Sequence, residues 1–482
     1  MTKINITRTE LVWPGKYDED GNLVTPRRVG LPFQVIERVN ETRATRQQKI
    51  ADLNGHYGTL FDYWQEEIIQ STERGDGWHN KLIWGDNLYV IGSILEKLPE
   101  KIDLIYIDPP FATGSDFSFV TMIGEDSLEL AKDQSLIEEK AYRDTWGNGV
   151  SSYLQMIYER LSLMKDLLAD TGSIYVHCDW RMNSALRLVL DEIFGRERFG
   201  AEIIWKRVVS TGSSKAISKK YPVVDDSILF YTKTSNYVWN TNYIDYSEKY
   251  KKRYTQKDDR GFYYWDNLKS YSDETLQRLI KENMIKLPLT DGKNPRVKNY
   301  LLEGKGVVMD NLWVDVVPVN SQANEDTNYA TQKPEELLKR IIKASSNEGA
   351  LVADLFCGSG TTLAVAEKLG RRWIGCDLGR YAIHTARKRL MDISGCKPFE
   401  IINLGRYERQ VWQGVTFDGQ KQTHQILIFQ YLKFILELYG AQPLAGTQVL
   451  HGKKGSAMVH VGAVDAPVTI DEVLACLTEC KQ

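Results

Sequence analysis

The chain is short of most features that would set it apart from ordinary globular proteins. It has six cysteines in 482 residues, at 178, 357, 376, 396, 476 and 480. No Cys-x-x-Cys pairs with another, so a structural zinc site is not expected and the thiols read as reduced. Cys476 and Cys480 are one helical turn apart and share a face if that segment is helical. The formal charge at pH 7 is only −3, which excludes a surface coated in positive charge. A local basic cleft remains compatible with phosphate contacts. No apolar stretch reaches bilayer-spanning length and the N-terminus lacks a signal-peptide pattern. A cytoplasmic protein without membrane contact is therefore expected. Internal repeats, low-complexity tracts and helicase or nuclease signatures are also missing. What remains is an ordinary apolar and charged composition, in a chain long enough for two or three domains with sizeable cores.

Two short motifs carry the chemistry. Lys101-Ile102-Asp103-Leu104-Ile105-Tyr106-Ile107 is a nearly continuous apolar run and reads as a buried parallel strand. It ends at Asp108-Pro109-Pro110-Phe111, at the carboxyl end of the strand where open α/β sheets bind ligands. Paired prolines force an extended turn, so the Pro109 carbonyl stays outside any helix ladder. That carbonyl and the Asp108 carboxylate offer two acceptors to one point, which suits an exocyclic NH2 with two hydrogens to give. Phe111 supplies a ring face for a base. Read alone, Asp-Pro-Pro is equally a tight turn after a strand.

The second motif removes most of that ambiguity. Ala350-Leu351-Val352-Ala353-Asp354-Leu355-Phe356 is another short apolar strand, followed by the turn Gly358-Ser359-Gly360 and a helix opening at Thr361. Glycines there let the backbone approach a ligand closely. A further strand, Trp373-Ile374-Gly375-Cys376, ends at Asp377, an acid suited to ribose hydroxyls. The pattern fits NAD as well as S-adenosylmethionine, and Gly-x-Gly alone is weak evidence. A dinucleotide fingerprint calls for a small residue three places after the second glycine, where this chain has Leu363. No dehydrogenase motif appears elsewhere. Cys357 lies inside the glycine turn, but an amine acceptor requires no covalent enzyme intermediate.

With these motifs in this order, amine site first and glycine turn second, the chain resembles the β class of DNA amino-methyltransferases. Within that class it looks most like the modification subunits of type III restriction systems. The resemblance runs from about residue 80 to 390, through IWGDNLYVIGSI (83–94), IDLIYIDPPFATGSDFSF (102–119), TGSIYVHCD (171–179), KKYPVVDDSILFYTKT (219–234), TQKPEELLKRIIKASS (331–346), DLFCGSGTT (354–362) and GCDLGRYAI (375–383). It implies an α/β fold with a mostly parallel, Rossmann-like sheet, S-adenosylmethionine as methyl donor, no metal, and a base flipped from double-stranded DNA. Catalysis would fall to Asp108, Pro109, Pro110 and Phe111. The cofactor would fall to Asp86, Gln332, Lys333, Asp354, Phe356, Gly358, Gly360, Thr361 and Asp377. An acid at position 108 implies N6 of adenine, with N4 of cytosine as the alternative. The resemblance is also compatible with a homodimer, with a restriction or helicase subunit as partner, and with a chain shorter than its relatives. A DNA-recognition subunit that methylates weakly is the rival of a different class. Two plainer roles compete with these: Asp86 as a helix cap, and Lys333 as a solvated surface cation.

Five segments are expected. Residues 1–75 form an N-terminal extension with a helix-prone run at 35–53. Its arginines (Arg27, Arg28, Arg38, Arg43, Arg46) either touch phosphate or lie on a solvated face. Residues 76–234 and 331–396 are the amine-site and cofactor halves of the catalytic domain. In the first half, 112–149 reads as a long functional loop. A helix follows over 151–170, burying Leu154, Ile157, Leu161, Met164 and Leu168. Residues 235–330 interrupt the strand–helix rhythm as a target-recognition insert. Its Tyr-, Lys- and Arg-rich run at 243–267 either binds nucleic acid or packs on itself. Residues 397–482 are a C-terminal α/β extension, with an apolar helix over 423–440 and a hairpin turning at 452–455.

Overall fold

The computed structural model describes residues 9–482 apart from 27, 29–32, 54–77, 111–118, 124–127, 133–148, 209–220, 269–271, 287–293, 303–305, 321, 404–431, 433–435, 437–440, 445–448, 463–469 and 481–482. Ten strands form one sheet: β1 (Gln34–Val39), β2 (Asn80–Trp84), β3 (Ile102–Ile107), β4 (Leu168–Cys178), β5 (Phe199–Lys206), β6 (Asp225–Thr232), β7 (Leu312–Trp313), β8 (Leu351–Asp354), β9 (Arg372–Asp377) and β10 (Phe399–Asn403). Their spatial order is β1-β10-β2-β9-β8-β3-β4-β6-β5-β7. From β10 through β4 every pair is parallel. β6 and β5 then add antiparallel pairs at one side, and β1 adds one at the other.

Side-chain alternation along the strands builds a separate core on each face. Leu104 and Tyr106 of β3 join Leu82 and Tyr175 on one side. Ile105 and Ile107 join Ile83, Ile174 and Val176 on the other. Parallel strands covered on both faces must be apolar on both, as the continuous runs in the sequence required. Helices α2 (Asn87–Leu95), α3 (Val150–Leu167) and α4 (Asn183–Phe194) pack into the isoleucine core. Helices α5 (Glu335–Ser345), α6 (Thr361–Lys368) and α7 (Arg380–Met391) pack into the opposite one. The molecule is an α/β sandwich of helix, sheet and helix layers.

Two helix boundaries differ from the sequence expectation. The run at 35–53 is not one helix: Gln34–Val39 is an edge strand antiparallel to β10, and α1 begins only at Arg43 and ends at Leu53. An unpaired β10 edge outweighs the weak polar helix preference of Val35-Ile36-Glu37. The helix expected to 170 stops at Leu167, because Leu168 is extended (φ −66°, ψ 136°) and pairs with Ile102 as the first residue of β4. Leu168 is buried as expected, but in the sheet.

The N-terminal residues pack on the core. Trp13 Nε1 donates to Gln155 of α3 at 2.8 Å. The ammonium of Lys16, buried, donates to Glu192 of α4 at 2.7 Å and to Glu10 at 2.8 Å. The arginines described there have acidic partners: Arg28 with Asp166, Arg38 with Glu400, Arg43 with Asp392 and Arg46 with Glu41.

Between β6 and α5 lies a small antiparallel sheet of Gln256–Asp258, Gly261–Asn267, Arg296–Tyr300 and Ile285–Lys286, with a helix at Asp273–Lys281. Its tyrosines largely face one another. Tyr246 stacks on Tyr250 at 4.6 Å, Tyr254 meets Tyr264 edge-on at 4.9 Å, and Tyr263 and Tyr300 enclose a core with Met284. The internal-packing reading therefore accounts for most of these rings. Within 112–149, the described strands Phe119–Ile123 and Leu128–Lys132 pair as a hairpin. In the C-terminal segment, Gly452–Lys454 and Ala457–Val459 form the expected hairpin, turning at Gly455-Ser456 instead of across 452–455. Nearly all of the apolar run at 423–440 lies outside the described residues. Among the described residues, no helix is long and apolar enough to cross a membrane, and no cluster of His, Cys, Asp or Glu is placed to hold a metal.

Candidate active site

The sheet order dictates where a ligand can sit. From β3 the chain crosses through α3 to β4, and from β8 it crosses through α6 to β9 in the opposite direction. The strand order thus reverses between β8 and β3, and a crevice opens at their carboxyl ends. Along this edge, β2, β9, β8 and β3 are consecutive neighbours, and each ends at or within two residues of an acid. The row reads Asp86, Asp377, Asp354, Asp108. Residues up to 291 positions apart in sequence are thereby placed on one rim.

Asp108 follows β3 and is partly exposed, while Pro109 is buried. Its Oδ2 accepts a hydrogen bond from Lys333 Nζ. Phe111, the expected stacking ring, lies outside the described residues. Next door, β8 runs into the glycine turn. Gly358 and Gly360 have φ of +48° and +75°, a region that favours glycine. A Cβ on Gly360 would stand 2.7 Å from the Ala386 Cβ of α7, so this glycine is also needed for helix packing. The Asp377 carboxylate accepts from Gly358 N–H at 2.9 Å and Gly379 N–H at 2.8 Å, one at each oxygen. These two bonds fix the carboxylate at the end of β9, where a vicinal diol of a ligand in the crevice would meet it. The turn, the helix start behind it and this acid fit an adenosine-bearing cofactor.

Asp354 behaves differently. Its side chain is buried, with Phe356 N–H donating to one oxygen at 3.1 Å and the Thr362 hydroxyl donating to the other. It braces the turn from inside. Burial pushes its carboxyl up to about 7, with Thr362 and the Phe356 N–H pulling down and the Asp108 and Asp377 charges adding to the rise. The ordinary value is 3.8, so the folded protein binds a proton that the unfolded chain releases between those two pH values. Stability from this group is therefore greatest in acid, falls as pH rises through that window, and carries the full penalty of a buried charge above it. Asp354→Asn should remove this slope. The difference in melting temperature between about pH 5 and about pH 8 should be smaller in the variant than in the wild type.

The remaining predicted residues are placed less directly. Asp86 caps α2 through Leu88 N–H at 2.9 Å and pairs with Arg160 Nη2 of α3 at 2.8 Å. Arg160 also donates to the Asn87 side chain, whose Nδ2 donates to the Leu355 carbonyl at 2.8 Å. The capping reading of Asp86 thus holds, and the cap is wired to the glycine turn. The Gln332 amide is engaged in its own loop, accepting from Thr327 N–H at 2.9 Å and donating to the Glu325 carbonyl at 2.6 Å. That loop carries Tyr329, which stacks on Tyr381 with centroids 5.7 Å apart and lies over Gly358. Thr361 Oγ1 donates to the Lys333 carbonyl at 3.2 Å and accepts from Arg389 at 2.8 Å. Phe356 is half-buried against the core beneath the turn.

Residues 102–388 match the N6/N4 methyltransferase family, described as DNA methylase. The chain belongs to this family. The family match spans both the Asp108 and the Gly358 halves of the crevice. Among individual DNA methylases, the type II methyltransferase M.EcaI of Enterobacter cloacae is 33% identical over 335 residues, covering 64% of this chain and 69% of that protein. The StyLTI Mod subunit, a type III restriction-modification enzyme of Salmonella typhimurium, is 29% identical over 425 residues, 75% of this chain. The match covers 62% of the Mod subunit, so this chain spans less than two thirds of that relative's length. The DNA adenine methyltransferase YhdJ of Escherichia coli is 29% identical over 314 residues, with 64% and 82% covered.

Several residues of this DNA methylase escaped sequence reasoning. Arg160 and Asn87 sit on ordinary helical stretches, and only the three-dimensional meeting of α2, α3 and the turn reveals them. His177 is wholly buried, with Nδ1 at 2.8 Å from the Tyr106 hydroxyl and Nε2 at 3.3 Å from Asp226. The signal available for it was a histidine within an apolar strand, in TGSIYVHCD. A polar side chain there needs buried partners.

Proposed function

We propose that this protein transfers a methyl group from S-adenosylmethionine to N6 of an adenine extruded from duplex DNA. The observation that carries the reading is the placement of Asp108 beside the Gly358–Gly360 turn, across the switch point between β3 and β8. An amine acceptor site and a cofactor turn on neighbouring strands suit direct transfer between two bound molecules. The bound cofactor supplies an electrophilic methyl on a sulfonium. Everything else falls to the chain. Asp108 and the Pro109 carbonyl accept the two amine hydrogens and draw the nitrogen lone pair out of conjugation with the ring; as the N–CH3 bond forms the S–CH3 bond breaks, S-adenosylhomocysteine leaves, and one amine proton is lost to solvent. Asp377 takes the ribose hydroxyls. Tyr329 and Tyr381 wall the cleft over Gly358. Most of the acceleration then comes from positioning and fixed charge.

Adenine as target is supported by the acid at position 108 and by the adenine methyltransferase named among the relatives. Likeness to a Mod subunit supports a second role, lending site recognition to a restriction subunit. The reaction is tested by incubating the protein with S-adenosylmethionine and unmethylated mixed-sequence DNA, digesting to nucleosides, and measuring methylated bases by mass spectrometry. N6-methyladenine is the expected product. N4-methylcytosine would overturn the adenine assignment, and no methylated base despite cofactor binding would shift the reading to recognition alone.

A further inference from the structure

The contact between Lys333 and Asp108 joins the two halves of the crevice. Asp108 stands at the end of β3, whereas Lys333 precedes α5 and belongs to the cofactor half. Their side chains are only 13% and 17% exposed, so the pair is largely shielded from water. An ammonium offers the same kind of donor as an exocyclic amine. In this arrangement, Lys333 therefore engages an acceptor on which the target amine depends.

The backbone of Lys333 is held elsewhere. Its carbonyl accepts from Thr361 Oγ1 at 3.2 Å, and Thr361, the first residue of α6, is gripped in turn by Arg389. Pro334 follows directly and fixes the entry into α5. The main chain at 333 is thus anchored to the start of the helix behind the glycine turn. The four-carbon stem alone carries the ammonium across to β3, and such a stem is flexible. From the same anchor, the ammonium has a second destination on the cofactor side. S-adenosylmethionine carries an α-carboxylate, and the N-terminal end of α6 favours negative charge.

We propose that Lys333 is an exchangeable counter-ion. It holds Asp108 while the cofactor cleft is empty and turns to the α-carboxylate of S-adenosylmethionine when the cleft is filled, freeing Asp108 for the target amine. One ion pair replaces another. The exchange rests on reading the cleft as an S-adenosylmethionine site. It makes acceptance of the base conditional on the cofactor, so a flipped base is engaged only when a methyl group is ready.

Calorimetric titration of the full chain tests this without knowledge of the DNA site. S-adenosylhomocysteine has the α-carboxylate; 5′-methylthioadenosine lacks that end. In the wild type, binding the first must break the Lys333–Asp108 pair. Asp108→Asn should therefore tighten S-adenosylhomocysteine by on the order of tenfold and leave methylthioadenosine unchanged. In a Lys333→Met background, the same Asp108→Asn change should have no effect on either ligand. Asp108→Ser removes the same charge and serves if the asparagine disturbs the strand end. The exchange is overturned if Asp108→Asn leaves S-adenosylhomocysteine affinity unaltered. It is equally overturned if the gain persists without Lys333, since simple relief of repulsion from Asp108 would then explain it. If the wild type binds neither ligand, the cofactor reading fails and the exchange falls with it.

Discussion

Asp108→Ala should slow methyl transfer by at least about a thousandfold, equivalent to roughly 4 kcal/mol of transition-state stabilisation. The target nitrogen is a poor nucleophile because its lone pair belongs to the ring, and it becomes reactive only as it turns tetrahedral. Charge develops there in the transition state, and a carboxylate at the end of β3 is fixed to meet it. Alanine leaves the Pro109 carbonyl as a single acceptor and removes the negative charge. Buried Tyr106, two residues before Asp108 and bonded to His177, and buried Pro109 hold the strand end in place, so the variant should keep its fold. Single-turnover rates on mixed-sequence DNA with labelled S-adenosylmethionine would measure the loss, with S-adenosylhomocysteine binding as the control for an intact cleft. A variant that loses both activity and binding would show that Asp108 maintains the crevice instead of acting on the amine.

The strands that matter most were legible because parallel strands covered on both faces leave continuous apolar runs. β3, β8 and β9 could be drawn from sequence, and with them Asp108, Asp354 and Asp377 at their ends. Sequence could not show that these ends are neighbours: β3 and β8 are separated by more than two hundred residues and meet only through sheet order. It was also blind to what each acid does. Asp354 and Asp377 look alike as strand-terminal acids. One is buried and shapes the turn, whereas the other accepts from two glycine N–H groups at the rim. Gln332 and Lys333 are adjacent in sequence, yet one amide is absorbed by its own loop and the other side chain crosses to β3. Edge strand β1 was missed for a related reason. A half-exposed strand has little apolar pattern of its own, and its conformation is set by the free hydrogen-bonding edge of β10.

The glycine turn gives a second large effect, and the two glycines should not respond equally. Both have positive φ, so alanine at either costs about 1–2 kcal/mol of backbone strain. Their surroundings differ. At Gly358 a Cβ would meet the Tyr329 ring at 3.4 Å, an ordinary contact with a side chain. At Gly360 it would meet Ala386 at 2.7 Å from Cβ and 3.0 Å from Cα, on a helix that cannot yield by rotating a side chain. Relief requires α6 and α7 to separate. That movement pulls on Thr361, which holds the Lys333 carbonyl and takes the Arg389 guanidinium. Gly360→Ala should therefore cost about 3 kcal/mol or more in denaturant unfolding, against about 1 kcal/mol for Gly358→Ala. S-adenosylhomocysteine affinity should fall much further in the Gly360 variant, because the clash opens the cleft from behind. Equal losses at the two positions would mean that the positive φ alone matters and that the α6–α7 contact is tolerant. A larger loss of affinity at Gly358, with little loss of stability, would instead put the ligand's closest approach at that residue.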